Sequence, residues 1–333
     1  MLSSVNTIAS SSLATSQLPL VSVLLITYNH AAYIRQALDG ILMQERPFEM
    51  EIVVANDAST DATTGIIDEY VASMPHLYKV LSYDVNLGVN RNADRGLRAC
   101  RGRYVALIEG DDYWTDPQKL VRQVEFMEAN PDFSFCFHNA MVVYDDDSGT
   151  SSHLMTTDLK PEYTLADITQ AWNIATASVM YRRKLLSQLP DWTFDSVACD
   201  LPIFVILASQ GRVGFLPQCM SVYRINQGGV SRSGHSERYM LSIVRMHENV
   251  DRYLGYRYHQ NTMKKLAEDY LILSNIKISQ LDYRAARRYL LRSLWLQLAG
   301  EKKAPTMSDF KMLVGTIAPG LVRRFGRGQA ARA

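Results

Sequence analysis

Glu109-Gly110-Asp111-Asp112 places three carboxylates within four residues. Crowded carboxylates repel one another unless a cation or hydrogen-bond donors offset their charge. Hard oxygen ligands of this kind suit a divalent cation. A solvated acidic turn, with Asp112 or Thr115 capping the next helix, is the other reading of the same residues. Three more polar groups are spaced along the first third of the chain: Thr27-Tyr28-Asn29, Asn56-Asp57 and Asn86-Leu87-Gly88. Each comes just after a short apolar run, as the acidic group does. That shared position implies one site assembled from several loops.

The runs that must position them are strands. VSVLLI (21–26) is a short continuous apolar run, as a strand buried on both faces is, and EIVVA (51–55), residues 79–83 and YVALI (104–108) read as three further strands. Helices are expected between them. Ile34, Ala37, Leu38, Ile41 and Leu42 share one helical face. A second helix carries Ile66, Ile67, Tyr70, Val71 and Met74, with Ser59 or Thr60 as its cap. A third runs from Asn92 to Cys100 and ends at Gly102 as a C′ glycine. Thr115-Asp116-Pro117-Gln118 has the form of a capping box opening a fourth. Strand alternating with helix predicts an α/β fold with a mostly parallel, Rossmann-like sheet flanked by helices. Ligands bind such sheets beyond the carboxyl ends of the strands. Phe133–Tyr144 is a further expected strand, and Asp145–Ser152 an acidic loop.

Composition excludes several classes. The 333 residues are 47% hydrophobic and 21% charged, with a net charge of +1, which argues against a general nucleic-acid binder. The charge is uneven. Residues 1–150 hold 10 Lys/Arg against 20 Asp/Glu, and residues 238–333 hold 18 against 7. The four cysteines are scattered without a C-x-x-C, against a zinc or redox site and in keeping with a cytosolic protein. Residues 1–19 are expected to be a disordered leader, and no apolar run is long enough to span a membrane. Neither G-x-G-x-x-G nor G-x-x-x-x-G-K-[ST] occurs, so backbone cradles for phosphates are missing. An acidic domain that binds a phosphorylated ligand then needs a cation.

VSVLLITYN, VVANDAST, NLG followed by Asn92, LIEGDDYWTDPQKL, CDLPIF and VYRINQGGVS together resemble the family 2 glycosyltransferases, across roughly residues 20–235. The resemblance implies a GT-A domain over residues 20–237, with residues 238–333 as a basic helical extension. The EGDDYW form is similar to members that build polysaccharides. The implied activity is inverting, metal-dependent transfer from a nucleotide-sugar, a UDP-sugar by preference, to a hydroxyl of a glycan or lipid-linked acceptor. A non-catalytic sugar-nucleotide binder and a nucleotidyltransferase are the rival readings.

The resemblance also implies residue roles. Thr27, Tyr28 and Asn29 meet the nucleotide, with the Tyr28 ring stacked on the base. Packing against the first helix is the alternative for Tyr28. Asp57 accepts the uracil N3–H, or forms an Asx turn with Ser59. Asn86 and Gly88 match the nucleotide-binding pattern, and Arg91 reaches uracil or phosphate or is a surface arginine. Asp112 is the direct ligand of Mg2+ or Mn2+, and Asp111 supports it or contacts the ribose or donor sugar. Glu109 stands where many members carry Asp. Asp200 is the general base, against a local reading as a helix cap. Asn226 stands where the family has His, and offers its carbonyl oxygen there. Gly228-Gly229 with Ser231-Arg232 suggests a flap, with Arg224 or Arg232 neutralising phosphates. His138 and Asn139 follow a strand and face either the acceptor or the core. Trp114 and Trp172 are sugar platforms or core. The Leu290/Leu294 helix faintly suggests a tetratricopeptide-like hairpin. The tail, with Arg323, Arg324, Arg327 and Arg332 after an apolar stretch, is either a solvated end or a peripheral contact with the anionic cytoplasmic membrane face.

Overall fold

The computed structural model describes residues 18–300, except 83, 146–149, 171–172, 227–228 and 230–235, together with Thr316. Residues 1–17 of the expected leader, the tail expectations (Thr316 apart), Trp172, Gly228 and the Ser231-Arg232 flap lie outside the described residues, while Pro19 at the leader's expected end is buried with its carbonyl accepting from the Arg103 N–H.

The chain alternates β1 (Val21–Thr27), α1 (Ile34–Leu42), β2 (Met50–Asn56), α2 (Thr63–Ser73), β3 (Tyr78–Leu81), α3 (Val89–Ala99) and β4 (Tyr104–Glu109). There follow β5 (Tyr113–Trp114), α4 (Lys119–Ala129), β6 (Phe133–Asp145), β7 (His153–Leu154), β8 (Glu162–Tyr163) and α5 (Leu165–Gln170). The chain continues through β9 (Met180–Arg182), α6 (Asp200–Ala208) and β10 (Arg212–Asn226) into α7 (Glu237–Tyr253), α8 (His259–Ser279) and α9 (Tyr283–Gly300). The main sheet order is β3-β2-β1-β4-β9-β6-β10-β5.

The four strands expected to be parallel are so, with Val21 opposite Met50 on one side and Tyr104 on the other. The sheet turns mixed beyond β4. The short β9 runs antiparallel between β4 and β6, and β5 antiparallel to β10. Alternate residues of β1 feed the two faces. Val21, Val23 and Leu25 meet Ile34, Leu38 and Ile41 of α1, while Leu24 meets Ala93 and Leu97 of α3. Each fully buried Leu or Ile of this kind stabilises the fold by about 1.5–3 kcal/mol. The double burial explains why these strands carry no polar alternation.

Several local expectations are corrected. α2 begins at Thr63, whose N–H donates to Asp61 Oδ1, because Ser59 and Thr60 are engaged by Asn29 instead. α3 begins three residues early, at Val89, because Gly88 with φ of 84° turns the chain into it. Gly102 is not a left-handed C′ residue. It is glycine because a Cβ would lie 2.5 Å from the Ser22 nitrogen. Thr115 and Gln118 form no capping box: the Gln118 N–H donates to Asp116 Oδ1, and the Thr115 N–H to the Met220 carbonyl. Trp114 is core, 1% exposed, with its indole N–H on the Ala177 carbonyl. His138 and Asn139 are buried within β6, so neither faces an acceptor.

Helices α7, α8 and α9 build their own small core from Met240, Val244, Met263, Leu266, Leu273 and Tyr289. Among the described residues, no helix is long and apolar enough to cross a membrane.

Candidate active site

The polar groups picked from the sequence come together at the carboxyl ends of β1, β2 and β4. Hydrogen bonds between loops hold them there. The Asn29 N–H donates to Ser59 Oγ at 2.9 Å, and Asn29 Oδ1 accepts from the Thr60 N–H at 2.7 Å. Asn29 takes a φ of 55°, a left-handed conformation that Asn tolerates better than most residues. Thr27 is buried at the strand end, whereas Tyr28 is 42% exposed and does not pack into the α1 face.

Asp57 is 2% exposed. Its Oδ1 accepts from the Leu87 N–H at 2.8 Å and its Oδ2 from the Gly88 N–H at 2.9 Å. The Asn86 side chain donates to the Asp57 carbonyl at 3.1 Å. Asp57 therefore latches the 86–88 loop. Each of its oxygens keeps a second lone pair. The Asx turn beside it is made by Asn56, whose Oδ1 accepts from both the N–H and the hydroxyl of Ser59. Arg91 is exposed on α3, its guanidinium carbon 4.7 Å from the centre of the Phe194 ring.

The acidic group closes the site. Glu109 ends β4, and the Gly110 N–H donates to the Ile26 carbonyl. Asp112 is 1% exposed, with Oδ1 accepting from the Arg224 N–H at 2.8 Å. Its Oδ2 is buried without a hydrogen-bond partner. Asp111 Oδ2 accepts from the Asn226 side-chain amide at 2.9 Å. Asn226 thus presents its amide to the acidic group rather than the expected carbonyl. Arg224 donates to Gln36 at 2.7 Å, and its guanidinium carbon stands 4.5 Å from the Tyr33 ring centre.

Burial, then the charges of Asp111 and Asp200, pushes the Glu109 carboxyl up to about 8. Burial, Asp111 and Glu109 also raise Asp112. Burial disfavours the charged form of each and the neighbouring carboxylates add to it, while the Arg224 N–H and charge partly offset the rise at Asp112. The shift at Glu109 also ties Asp200 electrostatically to the acidic group. The N-cap position of α6 is Cys199, and Asp200 is the first residue of the helix, one past it.

Two contributors were missed from sequence. His30 Nε2 lies 3.8 Å from Asp111 Oδ2, and Thr176 hydrogen-bonds Glu109. His30 directly follows the Thr27-Tyr28-Asn29 cluster, which was its only signal. Thr176 precedes β9 in a short helical turn and carried none.

The residues fit a divalent cation in one specific way. Asp112 Oδ2, buried without a hydrogen-bond partner, is an oxygen ligand available to a cation. Among the described residues, no three His, Cys, Asp or Glu converge into a complete cage.

A model of the family described as "Glycosyl transferase family 2" matches residues 22–189. An uncharacterized protein of Mycobacterium tuberculosis (strain ATCC 25618 / H37Rv), Rv1520, is 37% identical over 227 residues, covering 68% of this chain. The chain spans 65% of that relative's length. Among solved structures, TarS 1-349 of S. aureus in complex with UDP-GlcNAc is similar with a TM-score of 0.54 and 17% identity, covering 90% of this chain and 80% of that one. The mannosyltransferase PcManGT of Pyrobaculum calidifontis, in complex with GDP-Man and Mn2+, is similar with a TM-score of 0.55 and 18% identity, covering 92% and 81%. At those identities the structures speak for the fold alone, and that fold is the GT-A arrangement described above. The chain belongs to glycosyl transferase family 2.

Proposed function

We propose that the chain is an inverting, divalent-cation-dependent glycosyltransferase. It takes a nucleotide-sugar, UDP-linked by preference, and transfers the sugar to a hydroxyl of a glycan or lipid-linked acceptor in cell-surface polysaccharide synthesis. The observation that carries this reading is the acidic group, with its buried, unpartnered Asp112 oxygen, at the carboxyl ends of the strands. The similar solved proteins hold UDP-GlcNAc in one case and GDP-Man with Mn2+ in the other. A nucleotide-sugar in both, and a metal in one, support the donor class and the cation.

In this reading the exposed Tyr28 ring stacks on the base, since a flat apolar face binds any base. Asp57 keeps the 86–88 loop in place and uses its spare lone pairs on the uracil N3–H. Asp112 would hold Mg2+ or Mn2+ directly, with Asp111 supporting it or contacting the ribose or donor sugar, and the cation would supply positive charge against the diphosphate leaving group. Asp200 accepts the proton of the acceptor hydroxyl as that oxygen attacks the anomeric carbon, opposite the departing diphosphate. A positioned base of this kind is worth about 10²–10⁴-fold in rate.

The test is UDP release from a panel of UDP-sugars with Mn2+ and candidate acceptors, comparing wild type with Asp200→Asn. The expected result is acceptor-dependent release that falls by about 10²–10⁴-fold in the variant while UDP binding persists. Binding without turnover for every donor and acceptor overturns the catalytic reading.

A further inference from the structure

A groove of about 440 Å3 opens at the amino ends of β1 and β4, lined on one side by residues 18–20. The donor-site residues sit at the other end of the same strands, about 20 Å away by the rise of a seven-residue strand. Five cationic side chains line the groove: Arg101, Arg103, Arg182, Arg183 and Lys184. Sequence alone hides the cluster, because two of these residues precede β4 and the other three come from the far end of β9, which runs antiparallel to it.

Two of the five are spoken for by carboxylates. Arg101 Nε lies 2.9 Å from Glu51, and Arg103 Nη1 lies 2.8 Å from Glu128. The other three have no carboxylate within ion-pair distance among the described residues. Arg182 is 6% exposed and donates only to the Phe133, Met127 and Asn130 carbonyls and the Tyr104 hydroxyl. Those neutral partners satisfy its N–H groups without an ion pair, and the carboxylate that acts on it from further away, Asp132, is itself paired to Arg212. Arg183 uses Nε on the Gly102 carbonyl. Lys184 is exposed beside it. Five positive charges thus face two negative ones in a groove of ligand size.

We propose that this groove binds a phosphate-class anion, either a free phosphoryl group or the phosphate of an anionic lipid headgroup. Arg183 would supply the planar donors that suit phosphate oxygens, and Lys184 a point charge at the rim. The buried Arg182 biases the floor toward anions without touching the ligand. The site is separate from the donor site and does not depend on the chain being an active transferase.

The test uses full-length protein and two probes. One is inorganic phosphate, followed by calorimetry. The other is sedimentation with phosphatidylcholine vesicles with and without phosphatidylglycerol. Wild type is compared with the Arg183→Gln/Lys184→Gln pair and with Lys184→Glu alone, which alters only an exposed side chain. Binding should weaken by about tenfold or more in the pair and clearly in Lys184→Glu. Loss of phosphate binding alone identifies a soluble ligand. Loss of phosphatidylglycerol-dependent sedimentation identifies a lipid headgroup. Failure of wild type to bind either probe overturns the proposal, as does binding that both variants retain in full.

Discussion

Asp112 Oδ1 accepts a 2.8 Å hydrogen bond from the backbone N–H of Arg224, 112 residues further along the chain. One carboxylate oxygen is thereby pinned to β10, and the other is left buried with no partner. The bond fixes where the free oxygen points, which is what a cation held by few protein ligands needs. Asp112→Asn keeps the Oδ1 acceptor and removes the charge. It should fold, with metal-free stability equal to or above wild type, because it relieves repulsion from Glu109 and Asp111. Mn2+ affinity should fall at least about tenfold, the lower end of the effect of perturbing a partner outside the ligand set. Titration by calorimetry or electron paramagnetic resonance, with a denaturation curve beside it, measures both. Wild-type Mn2+ affinity in the variant removes Asp112 from the ligand set.

Asp57 joins the end of β2 to the 86–88 loop by two charge-assisted bonds. Asp57→Ala deletes both. The loop N–H groups are near solvent and regain water, so the stability loss should be about 1–3 kcal/mol rather than the full sum of two buried bonds. UDP binding should weaken more than the stability change implies, because the loop and the carboxylate are both displaced. Urea denaturation and UDP titration separate the two effects. Unchanged UDP affinity contradicts a nucleotide role for Asp57.

These contacts show what a sequence can and cannot disclose. β1, β2 and β4 are legible because burial on both faces makes each an unbroken apolar run, and the residue after each run is automatically at the ligand end. Tyr28, Asp57 and Asp112 follow from that rule. β9 was not legible: three residues are too few for any period, and antiparallel insertion between β4 and β6 is a tertiary choice. Thr176 was missed for the same reason, since its bond to Glu109 depends on where β9 docks. Asn226 shows a different limit. Its residue type allows a carbonyl or an amide to face the site, and only the neighbouring Asp111 carboxylate decides for the amide.

His138 gives a pH prediction away from the site. Burial, with the positive charge of Lys119 adding to it, pushes the imidazole down to about 3. The unfolded chain titrates near the ordinary value of about 6.5. A group depressed in the folded state contributes stability that is complete above the unfolded value and is lost as pH falls toward the folded one. The denaturant midpoint should therefore drop between pH 6.5 and 4. His138→Phe should make that fall shallower by the equivalent of one proton, whatever it does to the midpoint at pH 8. An identical slope in both proteins contradicts a buried neutral His138.

Two glycines should respond oppositely to alanine. A Cβ on Gly110 would lie 2.6 Å from Thr27 Oγ1 and 2.7 Å from His30 Nδ1. Both atoms are already buried without a hydrogen-bond partner, so neither can turn away to a waiting one. Gly110→Ala must then push the Asp111-Asp112 turn off the end of β1, costing about 1–3 kcal/mol as overpacking does. Mn2+ binding should fall with it. Gly65 is exposed within α2, with nothing near its added Cβ. Gly65→Ala should stabilise by about 0.5–1 kcal/mol through helix propensity and leave Mn2+ binding unchanged. Paired thermal melts and Mn2+ titrations decide the matter. If Gly110→Ala is as benign as Gly65→Ala, the close approach of Thr27, His30 and the acidic turn is not what requires glycine there.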